Sequence, residues 1–266
     1  MLWPLNQDVA QSIPCVVSAL PGWEDFHCYE LLHPMTKNPP VPGDTGREKQ
    51  ITETERVLFA LAQAVEQRDR NTAGHCERLA FISVAMGLYL GFDKEQLLAL
   101  YRGGYLHDIG KVGIPDSILF KRDRLNEDEW QVMRTHPLAG VEICHHLPAL
   151  SQVIPLIRHH HERWDGSGYP DGLQGQQISL AARILQISDI YDALTGPRPY
   201  KPAFSPGKAL RIIREETARG WRDPEIVDTF LALYKDVISK ADDYTVGSDK
   251  NLEAMRSALL RLDLPR

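Results

Sequence analysis

The chain of 266 residues is 43% hydrophobic and 25% charged, the balance of an ordinary soluble protein with room for one large domain and an appendage. A net charge of −6 excludes the basic field that holds DNA or RNA, so a phosphate ligand would need bound cations and a few local basic residues. No apolar run nears the roughly 20 residues of a membrane span, and the N-terminus lacks the basic start of a secretory signal. The four cysteines show no CxxC spacing and are read as structural thiols of a reducing cytoplasm.

Residues 1–46 hold Asp8, Glu24, Asp25, Glu30 and Asp44 against Lys37, a charge of −4 that leaves −2 for the rest. They are rich in proline and have no helical period. We expect an irregular extension, with a linker at Asn38-Pro39-Pro40-Val41-Pro42-Gly43 and a catalytic domain over 47–266. The extension is too short for a sensor domain, so regulation is expected from this segment or from a separate sensor protein.

From about residue 50 the pattern is helical throughout, and the expected class is all-α. Thr52-Glu53-Thr54-Glu55 reads as a capping box that opens a helix over about 52–69, with Val57, Leu58, Leu61, Ala64 and Val65 at helical spacing. A second helix is predicted over about 75–90, ending at Gly91, and Asp93 caps a third. That helix carries Leu97, Leu98, Leu100, Tyr101 and Tyr105 into His107-Asp108. Asn126 with Glu129 starts a fourth, and Pro137 marks a break or restart after His136. Another helix leads through Val153, Ile154 and Ile157 to His159-His160-His161. The glycines and prolines of Asp165-Gly166-Ser167-Gly168-Tyr169-Pro170-Asp171-Gly172 exclude a helix there and make a loop. Ser179, Ser205-Pro206 and Asp223-Pro224 open three more helices. A last amphipathic helix is predicted over about 249–262.

Eight of the ten histidines fall between 75 and 161. Histidines placed only for solubility would scatter. His27, His33, His145, His146 and His159 are read as ordinary polar residues. His75, His107, Asp108, His136, His160, His161 and Asp189 are the candidate metal ligands. Imidazole with carboxylate and no thiolate suits catalytic iron, manganese or a similar first-row ion better than structural zinc. Seven ligands are too many for one ion and suit two that share a carboxylate and clamp a phosphate between them.

The segments His107-Asp108-Ile109-Gly110-Lys111, His136-Pro137-Leu138-Ala139-Gly140, His160-His161-Glu162-Arg163-Trp164-Asp165-Gly166-Ser167-Gly168-Tyr169-Pro170 and Ser188-Asp189-Ile190-Tyr191-Asp192-Ala193-Leu194-Thr195 closely resemble the HD-GYP subgroup of the HD phosphohydrolases. The resemblance covers roughly residues 52–235. It implies an all-helical HD core with additional C-terminal helices and hydrolysis of the bacterial messenger cyclic di-GMP. By position it assigns His75, His107, Asp108 and Asp189 to one metal. It makes Asp108 the bridge and gives His136, His160 and His161 to the second. Lys111 would steady a phosphate oxygen, Tyr169 would lie at the substrate's edge, and Arg198 and Lys201 would reach guanine or phosphate. Asp192 and Arg183 would support the ligands from behind or hold the fold. Some members bind a third metal through a glutamate one turn before the first histidine. Here Asn71 stands there, a weak ligand without charge. The expectation is therefore two metals, with the linear dinucleotide pGpG as the main product and GMP the minor one.

Two other readings are kept beside this one. A degenerate domain of this type could sense cyclic di-GMP, or dock a diguanylate cyclase (GGDEF) through the GYP loop, without turnover. A different HD phosphohydrolase would act on another nucleotide. The complete ligand set argues against the first, and the second histidine set with the GYP loop against the second. The apolar faces of the first and last helices would serve a homodimer or the core equally well.

Overall fold

The computed structural model describes residues 46–68, 74–196, 203–234 and 238. The predicted helix at 249–262, most of the N-terminal extension, Asn71, Arg198 and Lys201 lie outside the described residues. Among those described, no β-strand forms, and β pairing is confined to a bridge between Asp165 and Gln174. The all-α expectation holds.

Helix α1 (Gly46–Arg68) starts well before the expected capping box at Thr52–Glu55. Glu55 is used differently, since it is buried and ion-pairs with Arg102 of α3 (Lys94–Leu106). The local pattern suits a cap, but a tertiary partner claims the carboxylate. Leu58, Phe59, Ala62 and Val65 of α1 are buried, and Phe59 stacks on Tyr105 with centroids 4.6 Å apart. Val57 and Leu61 face outward, 59% and 52% exposed.

Helix α2 (His75–Tyr89) is apolar nearly all round, as befits a helix at the centre of a bundle. It packs on α3 and on α8 (Leu180–Thr195). The Ser83 and Ser188 hydroxyls hydrogen-bond across α2 and α8 at 3.0 Å, which satisfies two polar groups inside the core. The expected Asp93 cap forms at α3, and Gln96 completes it as a capping box with both reciprocal bonds at 2.9 Å.

After α3 the chain tightens into a 3₁₀ turn (Ile109–Gly113) and a short α4 (Asp116–Leu119) that the sequence did not announce. Helix α5 (Glu127–Met133) carries the expected Asn126–Glu129 box, and α6 (His136–Cys144) has Pro137 in its first turn. Helix α7 (Ile154–His159) leads into the loop of 165–172. Ser179 caps α8 by accepting from Ala182 N at 3.3 Å. Pro206 and Pro224 open α9 (Pro206–Ala218) and α10 (Pro224–Tyr234). No helix among the described residues is long and apolar enough to cross a membrane.

Candidate metal centre

Helix ends do most of the placing. His75 opens α2, His107 and Asp108 follow the end of α3, His136 opens α6, His160 and His161 follow α7, and Asp189 lies within α8. All seven candidate ligands come to one place. Asp108 Oδ1 lies 3.2 Å from His136 Nε2 and 3.6 Å from His160 Nε2, while Oδ2 lies 3.3 Å from His107 Nε2. His75 Nε2 is 3.7 Å from Asp189 Oδ1. His161 closes the ring, its centroid 4.1 Å from His160 and 5.0 Å from His136. The donor atoms form two groups that could each hold an ion: Asp108 with His136, His160 and His161, and Asp108 with His75 and His107. Asp108 belongs to both.

The imidazole orientations are fixed from behind. His107 Nδ1 faces Gly104 O at 3.2 Å, His136 Nδ1 faces Met133 O at 2.8 Å, and His160 Nδ1 faces Ile157 O at 2.8 Å. A carbonyl only accepts, so each Nδ1 carries a proton, and in its neutral form each ring presents a bare Nε2 to the centre. His75 Nδ1 is held by Asp192 Oδ2 at 2.7 Å, and Arg78 grips the same carboxylate. Bare Nε2 atoms of His136 and His160 then meet at 3.3 Å, lone pair to lone pair. His107 Nε2 and Asp108 Oδ1 are buried without a hydrogen bond. Buried acceptors left unpaired are costly, and a positive centre among them removes the cost. The donor set therefore fits divalent cations.

The electrostatics agree. Burial opposes the charged form of Asp108, yet the Lys111 ammonium beside it holds its carboxyl well below the usual carboxylate range. Burial, with neighbouring imidazoles, keeps His160 and His161 below the ordinary histidine value and so neutral. Burial also pulls His75 down, but the hydrogen bond and charge of Asp192, with Asp189 and Glu66, outweigh it and raise that group to about 9. This pocket draws positive charge toward His75 and offers lone pairs around Asp108.

Several supports were not foreseen. Gly74, before α2, has no capping side chain, and Glu66 of α1 supplies the cap from outside by accepting from His75 N at 3.0 Å. Arg68 grips the turn that follows Asp108. Its guanidinium faces Lys111 O at 3.4 Å, Val112 O at 3.3 Å and Ile114 O at 3.1 Å, and donates to Asp116. The last turn of α1 thus holds both the His75 end and the Asp108 end of the centre. A Cβ on Gly110 would stand 1.9 Å from His136 O and 2.4 Å from Gly140 N. Only glycine lets the Asp108 turn lie against α6 and bring His136 to Asp108. A sequence shows Glu66 and Arg68 as ordinary helix-surface charges, because their partners are set by the fold.

Lys111 Nζ lies 2.8 Å from Asp108 Oδ2. Tyr169 stacks on His161, centroids 4.9 Å apart at 28°, and burial raises its hydroxyl well above the usual phenol value. Its loop is tied down by the buried Glu162, which accepts from Asp171 N at 2.7 Å and Leu173 N at 3.0 Å. Asp192 stands directly behind His75. Arg183 does not reach the centre: it donates to Ile178 O and Asp223 and lies over Trp164, so it holds the fold.

The HD domain family model matches residues 59–226. The chain is similar to the cyclic di-GMP phosphodiesterase response regulator RpfG of Xanthomonas campestris pv. campestris, 42% identical over 185 residues, covering 68% of this chain and 49% of the relative. It is also similar to the 3'3'-cGAMP-specific phosphodiesterase 3 of Vibrio cholerae serotype O1, 37% identical over 191 residues, covering 72% of this chain and 41% of the relative. It thus spans about half the length of such relatives or less. A solved cyclic GMP-AMP-specific phosphodiesterase of V. cholerae shares the fold, with a TM-score of 0.53 at 19% identity over 77% of this chain and 58% of that one.

Proposed function

The chain belongs to the HD domain family, and from that premise we propose that it is a metal-dependent phosphodiesterase hydrolysing cyclic di-GMP. One observation carries the reading: six imidazole and carboxylate side chains gather with Asp108, which two ligand groups share, with buried lone pairs facing each other. His75, His107, Asp108 and Asp189 would hold one cation, and Asp108, His136, His160 and His161 the other. Two divalent cations, iron or manganese by donor chemistry, would polarise a phosphate and supply an activated water for in-line attack.

The chain's own residues do the rest. Lys111 brings a positive charge beside Asp108, where it offsets charge that develops on the phosphate. Tyr169, packed on His161, forms one wall of the substrate site and fixes the ligand's approach. Asp192 and the three carbonyls that accept hydrogen bonds from Nδ1–H keep the imidazoles aimed inward. Arg198 and Lys201 are assigned to the guanine or phosphate groups on the resemblance alone. The amide of Asn71 supports a two-ion centre with pGpG as the main product. Action in the cytoplasm is part of this reading, and the free, buried thiols of Cys76 and Cys144 are consistent with it. A GGDEF partner and a homodimer remain part of this reading without a structural feature to carry them.

The cGAMP-specific relative supports a second reading, in which the substrate is the mixed cyclic dinucleotide. Turnover of cyclic di-GMP and 3'3'-cGAMP by protein loaded anaerobically with iron or manganese separates the two. The expected result is hydrolysis of cyclic di-GMP that His107→Ala and Asp108→Ala each abolish. Undiminished hydrolysis in both variants would overturn the assignment.

A further inference from the structure

The ring ladder that begins at the centre does not end at Tyr169. The Arg134 guanidinium lies 5.6 Å from the Tyr169 centroid and 5.9 Å from the centroid of Trp130. Trp130 lies on α5, one turn before Arg134 at the helix's C-cap, and is 41% exposed. His161, Tyr169, Arg134 and Trp130 therefore follow one another outward from the donor cluster. Arg68, Arg78, Arg158, Arg183 and Arg222 each face a carboxylate. Arg134 pairs with no carboxylate among the described residues. A surface cation over a ring contributes little to folding, so stability does not account for this placement.

A cyclic dinucleotide offers two bases and two phosphates, and a centre that cleaves one phosphodiester leaves the other nucleotide outside it. Flat bases stack on indole and guanidinium planes, and a guanidinium pairs with phosphate oxygens. Lys111 beside Asp108 and Arg134 on the far side of Tyr169 place positive charge at both ends of such a ligand. We propose that Trp130 and Arg134 form an outer subsite, continuous with the centre through Tyr169, that takes the non-scissile nucleotide: the base on Trp130, the phosphate on Arg134. The inference rests on the cyclic-dinucleotide reading above.

The test uses the full, metal-loaded chain and compares wild type with Trp130→Ala, Arg134→Ala and Arg134→Lys on two substrates, cyclic di-GMP and bis(4-nitrophenyl) phosphate. The small diester needs the centre alone. Losing a stacked base costs about tenfold or more in affinity. The expected result is a KM for cyclic di-GMP raised about tenfold in Trp130→Ala and Arg134→Ala, with kcat and the small-diester rate nearly unchanged. Arg134→Lys should recover only part of the loss, because an ammonium cannot stack or fork. An unchanged KM in both alanine variants would overturn the subsite. So would a parallel loss on both substrates, which would make the pair a support for α5 and His136. A wild-type dimer that Trp130→Ala converts to monomer, with KM unchanged, would assign the patch to a second copy instead and likewise overturn it. Wild type that binds cyclic di-GMP without cleaving it would refute the phosphodiesterase reading. The subsite would then be read from Kd, where a tenfold weakening supports it and no change overturns it. Wild type that neither binds nor cleaves removes both.

Discussion

Gly110→Ala is the sharpest single probe of how the centre is built. The added Cβ would lie 1.9 Å from His136 O and 2.4 Å from Gly140 N, both backbone atoms that no rotamer change can move. Reaching even the 3.0 Å floor of real Cβ contacts requires the Asp108 turn and α6 to part by about 1.1 Å. Metal ligation tolerates only about 0.2 Å. Asp108 and His136 sit on the two elements that part, and their Oδ1 and Nε2 are now 3.2 Å apart. Overpacking of this kind costs about 1–3 kcal/mol in stability. A misplacement of about 1 Å costs on the order of 100-fold in rate. Metal content by plasma mass spectrometry, read beside turnover and thermal melting, should show one ion lost per chain, at the His136 side, and turnover down about 100-fold. Gly113→Ala is the control. Its Cβ meets nothing within 4 Å, so metal content and rate should hold and stability should change by less than about 0.5 kcal/mol. A Gly110→Ala protein with its full metal complement and wild-type rate would refute the packing argument.

The other supports give their own tests. Arg68→Lys keeps the charge but cannot serve three carbonyls and Asp116 together. Hydrogen exchange should show faster opening of residues 109–116 by about 1–2 kcal/mol with little change elsewhere, and unchanged protection would contradict the clamp. Asp192→Asn removes the carboxylate behind His75 and should weaken metal retention about 10–100-fold in a chelator competition, whereas equal retention would deny it that role. Asp171 is held down to about 2 by its hydrogen bond to Arg158, with help from His159, against an ordinary 3.8. Because its folded value is depressed, the pair stabilises the loop above pH 3.8, and the contribution disappears as pH falls toward 2. In Arg158→Ala the Asp171 carboxyl should titrate above 2 by NMR, moving toward 3.8 while His159 still holds it below that value, and a value still near 2 would remove Arg158 as the cause.

Much of this architecture is written locally and could be read from the chain. Asp93 with Gln96, Asn126 with Glu129, Ser179 and the prolines at 206 and 224 start helices through contacts close by in sequence. The ligand types and their clustering announced a metal chemistry before any geometry. What stayed hidden depends on distant partners. Glu55 sits in a capping-box pattern yet pairs with Arg102, so α1 begins earlier than the pattern suggests. Glu66 and Arg68 look like solvated charges until α2 and the Asp108 turn arrive beside them. Gly110 is marked by its motif, but its reason is the carbonyl of His136, far along the chain. Arg183, which could have stood behind the ligands, is drawn to Asp223 instead.

The account turns on two cations sharing Asp108, and counting metal in paired proteins tests this directly. Wild type and Asp108→Ala are purified anaerobically, loaded with iron or manganese and desalted, and bound metal is measured per chain. The account requires two ions in the wild type and the loss of both, or nearly so, from Asp108→Ala. A wild type that retains none, or an Asp108→Ala protein that keeps two, would contradict it.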